Sequence, residues 1–211
     1  IRQWLAEQEF TEVDPAGLVP SPGNEAHLHA FETRAIGNDG LAVPMYLHTS
    51  PEFAMKRLLA AGETRIASFA HVWRNREIGP RHSAEFTMLE WYRVNEAYDV
   101  LIEDTMAFLG LACGAAGSAV LTYRGMTCDP FQPPERISVA EAFARYASID
   151  LLATLLDDGT PDADALRVQM QARGLSCHPD DTWSDMLSKV LVEKVEPHLG
   201  MGRVTILDRY P

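Results

Sequence analysis

The sequence predicts an α+β fold, with antiparallel strand pairs in the first half of the chain and helices in the second. Three observations carry this. From Phe86 to Arg93 the residues alternate cleanly, with Phe86, Met88, Glu90 and Tyr92 facing one way and Thr87, Leu89, Trp91 and Arg93 the other. Asn38-Asp39-Gly40 separates two extended runs, a turn signal that marks a hairpin. From Tyr98 onward the apolar spacing becomes helical, as in Leu101, Ile102, Thr105, Phe108 and Leu109. With 211 residues, 46% of them hydrophobic, the chain can build a sizeable core, and one domain over 1–211 is expected.

In chain order, residues 1–10 read as a helix with Ile1, Trp4, Leu5 and Phe10 apolar. Thr11 to Val19 is a short extended run broken by Pro15, and Pro20 to Glu25 is a loop. His27 to Ile36 and Leu41 to Leu47 form the first hairpin. Ser50 is expected to cap the next helix, with Pro51 at its first position and Gly62 just past its end. Ile66 to Arg74 and Ala84 to Val94 form a second strand pair whose loop is too long for a tight turn. A helix follows from Tyr98 to Cys113. Gly114 to Glu135 is rich in Gly and Pro and is expected to be irregular, apart from a short strand at Val120–Tyr123. Ser138 and Glu141 form a capping box that opens a helix to about Tyr146. Further helices are expected at Ala163–Arg173, stopped by Gly174, and at Thr182–Leu199, with a last strand at Val204–Leu207.

Composition excludes several classes. No apolar run approaches the roughly 18 residues of a membrane span, and the amphipathic N-terminus lacks the pattern of a signal peptide. Cys113, Cys128 and Cys177 are odd in number and form no CxxC, which fits reduced thiols and a cytoplasmic setting. The net charge of −12 argues against a broad nucleic-acid surface. The charge is uneven, however. Between positions 56 and 93, Lys56, Arg57, Arg65, Arg74, Arg76, Arg81 and Arg93 outnumber Glu63, Glu77, Glu85 and Glu90. A locally basic site in an acidic chain suits a small anion such as a nucleoside triphosphate.

The candidate chemistry centres on residues 50–93. The second strand of the second pair places an aromatic ring, a carboxylate and a phenol on one face, an inventory foreign to a packed core, where Glu is rarely buried unpaired. Ser50-Pro51-Glu52 is read plainly as a cap with an acid in the first turn; its functional reading puts Glu52 on a substrate ammonium. Arg74 is either a surface ion-pair partner or a planar clamp on phosphate. Phe86 is either core or a platform for a purine. His82 is a loop histidine by default. His27 and His29 share a strand face, but no third metal ligand is evident. Neither GxxxxGK[ST] nor GxGxxG occurs, so any use of ATP must rely on side chains of an antiparallel sheet.

Arg74-Asn75, followed by His82-x-x-x-Phe86-x-x-x-Glu90, resembles motif 2 of the class II aminoacyl-tRNA synthetases. The strings TSPEFAMKRLLAAG and AEFTMLEWYR resemble the lysyl branch, and most of all its paralogous family of elongation factor P lysyltransferases. SPGNEAHLHAFET and VEPHLG fit as well, with Pro15 as the motif 1 proline. Ser50 stands where lysyl-tRNA synthetases carry Ala, a change that accompanies (R)-β-lysine in the paralogous family.

The resemblance implies a class II antiparallel sheet flanked by helices, a homodimer, and ATP with Mg²⁺. It implies Arg74 as the catalytic residue on the α-phosphate. Asn75, Arg76, Glu77, His82, Ser83 and Phe86 would surround the nucleotide, with Phe86 on adenine. Ser50, Glu52 and Tyr92 would line a pocket for lysine or β-lysine, and no residue is assigned to a metal. The acceptor implied is elongation factor P rather than tRNA. Two other readings stay open, a lysyl-tRNA synthetase-type catalytic domain and a non-catalytic synthetase-like binding module.

Position 76 is Arg where the family's motif carries Glu, with Glu77 one residue later; Ser83 replaces Asn and Ala84 replaces Pro. The family's GxELANG-type strand and motif 3 are not contained in this sequence. The fold is therefore expected without its C-terminal motif 3 part and with an open sheet edge.

Overall fold

The computed structural model describes residues 1–23, 25 and 27–211, and the chain forms two units, Ile1–Ala97 and Tyr98–Pro211. The expected loop from Pro20 to Glu25 contains Asn24, which with Ala26 lies outside the described residues.

In the first unit, helix α1 spans Arg2–Glu7 and buries Leu5. It is shorter than its apolar pattern predicts because Glu9 turns into the left-handed region at φ 63°. Strands β1 (Thr11–Glu12) and β2 (Leu18–Val19) lead to the hairpin β3 (Phe31–Ile36) and β4 (Ala42–Leu47). These pair antiparallel in register from Phe31↔Leu47 to Ile36↔Ala42. The Asn38-Asp39-Gly40 turn closes as its chemistry predicts. Asp39 Oδ1 accepts from the Leu41 N–H at 3.0 Å, and Gly40 supplies φ +78°.

Helix α2 (Glu52–Ala60) begins one residue later than expected, so Pro51 occupies the cap position. Ser50 therefore lies one residue before the cap and not at it, and its Oγ accepts from the Glu52 N–H at 3.0 Å. Strands β5 (Arg65–Trp73) and β6 (Glu85–Arg93) form the long antiparallel pair, from Arg65↔Arg93 to Trp73↔Glu85. The sheets run β1-β5-β6 and β2-β4-β3. Met55, Ile66, Ala67, Ala70 and Val72, with Leu5 and Phe10, are buried. Ile66, Ala70 and Val72 pair opposite Tyr92, Met88 and Phe86, so this part of the core shares a sheet face with the β6 residues that carry the candidate chemistry.

In the second unit, α3 (Asp99–Ala115) is followed by a hairpin of β7 (Leu121–Tyr123) and β8 (Met126–Asp129). The region was expected to be irregular after Tyr123. A two-residue turn at Arg124 and Gly125, both with positive φ, closes this pair, and Arg is a poor turn signal at such a position. Next come β9 (Glu135–Ser138) and α4 (Val139–Ala147), opened by the capping box that Ser138 and Glu141 predict. A second box, Thr182 with Asp185, opens α6 (Trp183–Val190) after α5 (Ala163–Gln171).

The single helix expected from Thr182 to Leu199 is interrupted. It passes into a π turn at Leu191–Val195 and a 3-10 turn at Glu196–His198, because Pro197 has no N–H for the ladder and disfavours a helical residue before it. Strands β10 (Gly202–Arg203) and β11 (Thr205–Asp208) then pair parallel to β8 and β9. The β1–β5 pairing is parallel too, so β1-β5-β6 and β10-β8-β7 are mixed sheets, while β2-β4-β3 is antiparallel throughout. The β9–β11 link runs through three helices, the long crossover that parallel strands need.

Ile137, Val139, Phe143, Ile149, Leu151, Leu166, Met170, Met186, Val190 and Val195 pack into one buried cluster of this unit. Cys113, Cys128 and Cys177 are free thiols. Among the described residues no helix is long and apolar enough to cross a membrane.

Candidate active site

The alternation of β6 places Glu90 and Tyr92 on one face, and the structure joins them. The Tyr92 phenol donates to Glu90 Oε2 at 2.9 Å, while the Ser50 hydroxyl donates to Glu90 Oε1. Ser50 thus accepts from the Glu52 amide and donates to Glu90. Its position is set by the end of β4. There His48 is buried with its ring Nε2 2.7 Å from the His71 carbonyl oxygen, the Trp73 N–H donates to the His48 carbonyl, and the Thr49 hydroxyl donates to the Pro22 carbonyl.

Glu90 therefore has both oxygens oriented by neutral donors. Sequence reasoning put Glu90 on this face but gave it no role; period-two alternation was the signal that could have done so. Burial, and then the hydrogen bond and charge of Glu90, push the Tyr92 phenol well above its ordinary value, so it stays protonated as a donor. Glu52, in the first turn of α2, pairs with Lys56 at 2.5 Å. That hydrogen bond and the Glu52 charge raise the Lys56 ammonium above its ordinary value.

The other end of β6 opens onto the 74–84 loop. The Arg74 N–H donates to the Ala84 carbonyl at 2.9 Å, extending the ladder by one pair. A tight turn joins Gly79 and His82 through two bonds of 3.1 Å. Between them lies a cleft of about 640 Å³, lined by Arg74, Glu77, Arg81, His82, Ser83 and Phe86 among others. The Arg74 guanidinium carbon lies 5.5 Å from the Phe86 ring centroid, and its Nη1 is 4.0 Å from Glu77 Oε2.

Its Nε is buried with no hydrogen-bond partner among the described residues. A buried guanidinium donor left open is costly in a site with no acceptor to come. Asn75 and Arg76 do not line the cleft. The Asn75 N–H donates to the His29 carbonyl at 2.6 Å, and its Oδ1 accepts from the Arg76 N–H. Arg76 adopts φ 64° and is exposed, so Glu77 is the loop acid that reaches the cleft. This gives the one-residue shift noted in the sequence a geometric meaning.

Phe86 and Glu90 are four residues apart on one strand face, about 13 Å. One end of the face offers a ring, a guanidinium and a cleft; the other offers two carboxylates, a hydroxyl and a phenol. That arrangement can take an anion with a flat ring at one end and an ammonium at the other. Among the described residues no group of three or more His, Cys, Asp or Glu comes together as a metal site; His27 and His29 gain no third ligand there.

Residues 1–188 match the family model of the class II tRNA synthetases (D, K and N). Among curated relatives, the chain is similar to the elongation factor P–(R)-β-lysine ligases of Salmonella heidelberg (strain SL476), Salmonella agona (strain SL483) and Salmonella typhi. To each it is 33% identical over 217 aligned residues, covering all of this chain. The chain spans 59% of the length of these relatives.

Proposed function

The chain belongs to the class II tRNA synthetases (D, K and N), and from that premise we propose that it activates lysine or (R)-β-lysine with ATP and passes the acyl group to a lysine of elongation factor P. The carrying observation is the two-ended face of β6, with Arg74 over Phe86 at one end and Glu90 held by Ser50 and Tyr92 at the other. The names of the similar relatives supply the acceptor and the preference for β-lysine.

In this reading adenine stacks on Phe86, and Arg74 binds the α-phosphate, its open Nε finding an acceptor there. Glu77, His82 and Ser83 line the nucleotide's cleft, with Asn75 and Arg76 beside it. Glu52 and Glu90 take the substrate's ammonium groups, and Ser50 and Tyr92 hold Glu90 in place. A carboxylate oxygen of the amino acid attacks the α-phosphorus. The new P–O bond forms as the bond to the bridging oxygen breaks, and pyrophosphate leaves with the electron pair. The acceptor ε-amine then attacks the acyl carbon, loses its proton and expels AMP. Positioning along one rigid strand pair and the Arg74 charge supply the catalysis.

Magnesium accompanies the nucleotide in this family. The described residues do not assemble a metal-ligand set, so none of these steps is routed through it. The reading takes residues 1–211 as class II catalytic-domain sequence in a cytoplasmic homodimer. The net charge of −12 suits a protein acceptor better than tRNA.

The test is transfer of labelled (R)-β-lysine in the presence of ATP, with elongation factor P and tRNA offered as separate acceptors. Labelled elongation factor P is the expected product; charged tRNA instead would favour the tRNA ligase reading. Within this site, Glu52→Gln is expected to weaken amino-acid binding by about ten- to a hundredfold, the worth of a charged hydrogen bond. ATP affinity should hold. Calorimetric titration with each ligand checks it, and an unchanged amino-acid affinity would remove Glu52 from the pocket.

A further inference from the structure

We propose that Lys56 is an internal competitor for the substrate ammonium, occupying Glu52 in the free protein and leaving it when the amino acid binds. The proposal rests on the reading of this pocket as a lysine or β-lysine site. Lys56 lies one helical turn beyond Glu52 on α2, with its Nζ 2.5 Å from Glu52 Oε1. It presents the chemistry the substrate would bring, a primary ammonium on a flexible apolar stem.

The two carboxylates of the pocket are served differently. Glu90 has neutral donors, the Ser50 hydroxyl and the Tyr92 phenol, on its two oxygens. Glu52 pairs with a cation, the Lys56 ammonium. The charges of Glu90 and Glu25 add to that of Glu52 in holding Lys56 protonated, so the field favours a cation at this place from several sides. Yet the Lys56 side chain is 55% exposed and that of Glu52 31%, so the pair is open to solvent. A pair so placed is weak and exchanges readily with solvent.

The consequence is a built-in offset on affinity. A diamino acid gains at Glu52 only what it wins over Lys56. Removing the resident ammonium should therefore tighten the substrate, although the usual effect of truncating a pocket residue is to weaken it. ATP, an anion, should gain nothing from the loss of a cation.

Wild type, Lys56→Met and Lys56→Arg are to be titrated calorimetrically with lysine, (R)-β-lysine and ATP. Lys56→Met keeps a long unbranched stem with good helix propensity. It is expected to bind the preferred diamino acid about two- to fivefold tighter, with no tightening for ATP, and the difference should shrink at high salt. Lys56→Arg, which keeps the charge, should stay near wild type. A purely structural role would weaken both ligands in Lys56→Met alongside a lower melting temperature. If wild type binds the diamino acid and Lys56→Met binds it equally or less well, the competitor role is overturned while the pocket stands. If wild type binds neither diamino acid, the pocket reading falls and the competitor role with it.

Discussion

Arg74→Ala is expected to slow amino-acid-dependent ATP–pyrophosphate exchange by about a hundred- to a thousandfold, the usual loss when one preorganised charge-stabilising donor is removed. The expectation rests on how Arg74 is held. Phe86 lies under its guanidinium at 5.5 Å, Glu77 stands 4.0 Å from one terminal nitrogen, and Nε is buried with no hydrogen-bond partner among the described residues. The group is fixed in direction before any ligand arrives, so little reorganisation is needed when charge develops on the α-phosphate.

Arg74→Lys should recover only part of the rate, because an ammonium keeps the charge but loses the planar fork. Stability is not expected to fall in parallel, since Arg74→Ala also removes a buried donor that has no partner among the described residues. Equal exchange rates in wild type and Arg74→Ala, with both proteins folded, would withdraw Arg74 from the phosphate.

Phe143→Ala is expected to cost about 3–5 kcal/mol of stability in the Tyr98–Pro211 unit, the range for emptying a buried aromatic site. Phe143 is fully buried at 0% exposure, on the inner face of α4, among Val139, Ile149, Leu151, Leu166 and Met186. Helix α4 is fixed at its start by the capping box, so it cannot readily shift to fill the space. Urea unfolding followed by the fluorescence of Trp183, which belongs to the same cluster, reads this in a background where Trp4, Trp73 and Trp91 of the first unit are replaced by Phe. The midpoint should fall with the slope little changed. A loss below about 1 kcal/mol would mean that the site collapses around the deletion or that α4 does not anchor the cluster.

Local chemistry is what the sequence displayed best. Ser138 and Glu141 cap α4 because both partners of the box lie within one turn. The hairpin at Asn38-Asp39-Gly40 and the alternation of β6 are likewise written within a few residues. The β7–β8 hairpin was not legible because Arg124 gives no warning of a positive φ. The break after Val190 needed more weight on Pro197 than the apolar spacing around it suggested. The parallel pairings β1–β5 and β9–β11 depend on chain returns across many residues, which periodicity cannot report.

The candidate site divides in the same way. Phe86 and Tyr92 could be placed on a common face from the β6 pattern alone. The donors on Glu90 could not, because Ser50 reaches it across 40 positions of sequence. Nor could the open Nε of Arg74, which is a property of burial by the surrounding loop. Lys56 was visible four residues after Glu52, but its competition with a ligand follows only once Glu90 is seen to be held by neutral donors and Glu52 by an ammonium.

The most direct test of the central claim is ATP–pyrophosphate exchange by the purified protein, run with (R)-β-lysine, with lysine and with no amino acid. Exchange that depends on one of these diamino acids is predicted, since the amine end and the phosphate end of the β6 face must then act on one molecule. A folded sample that binds ATP and the amino acid but catalyses no exchange would contradict adenylate formation at this site.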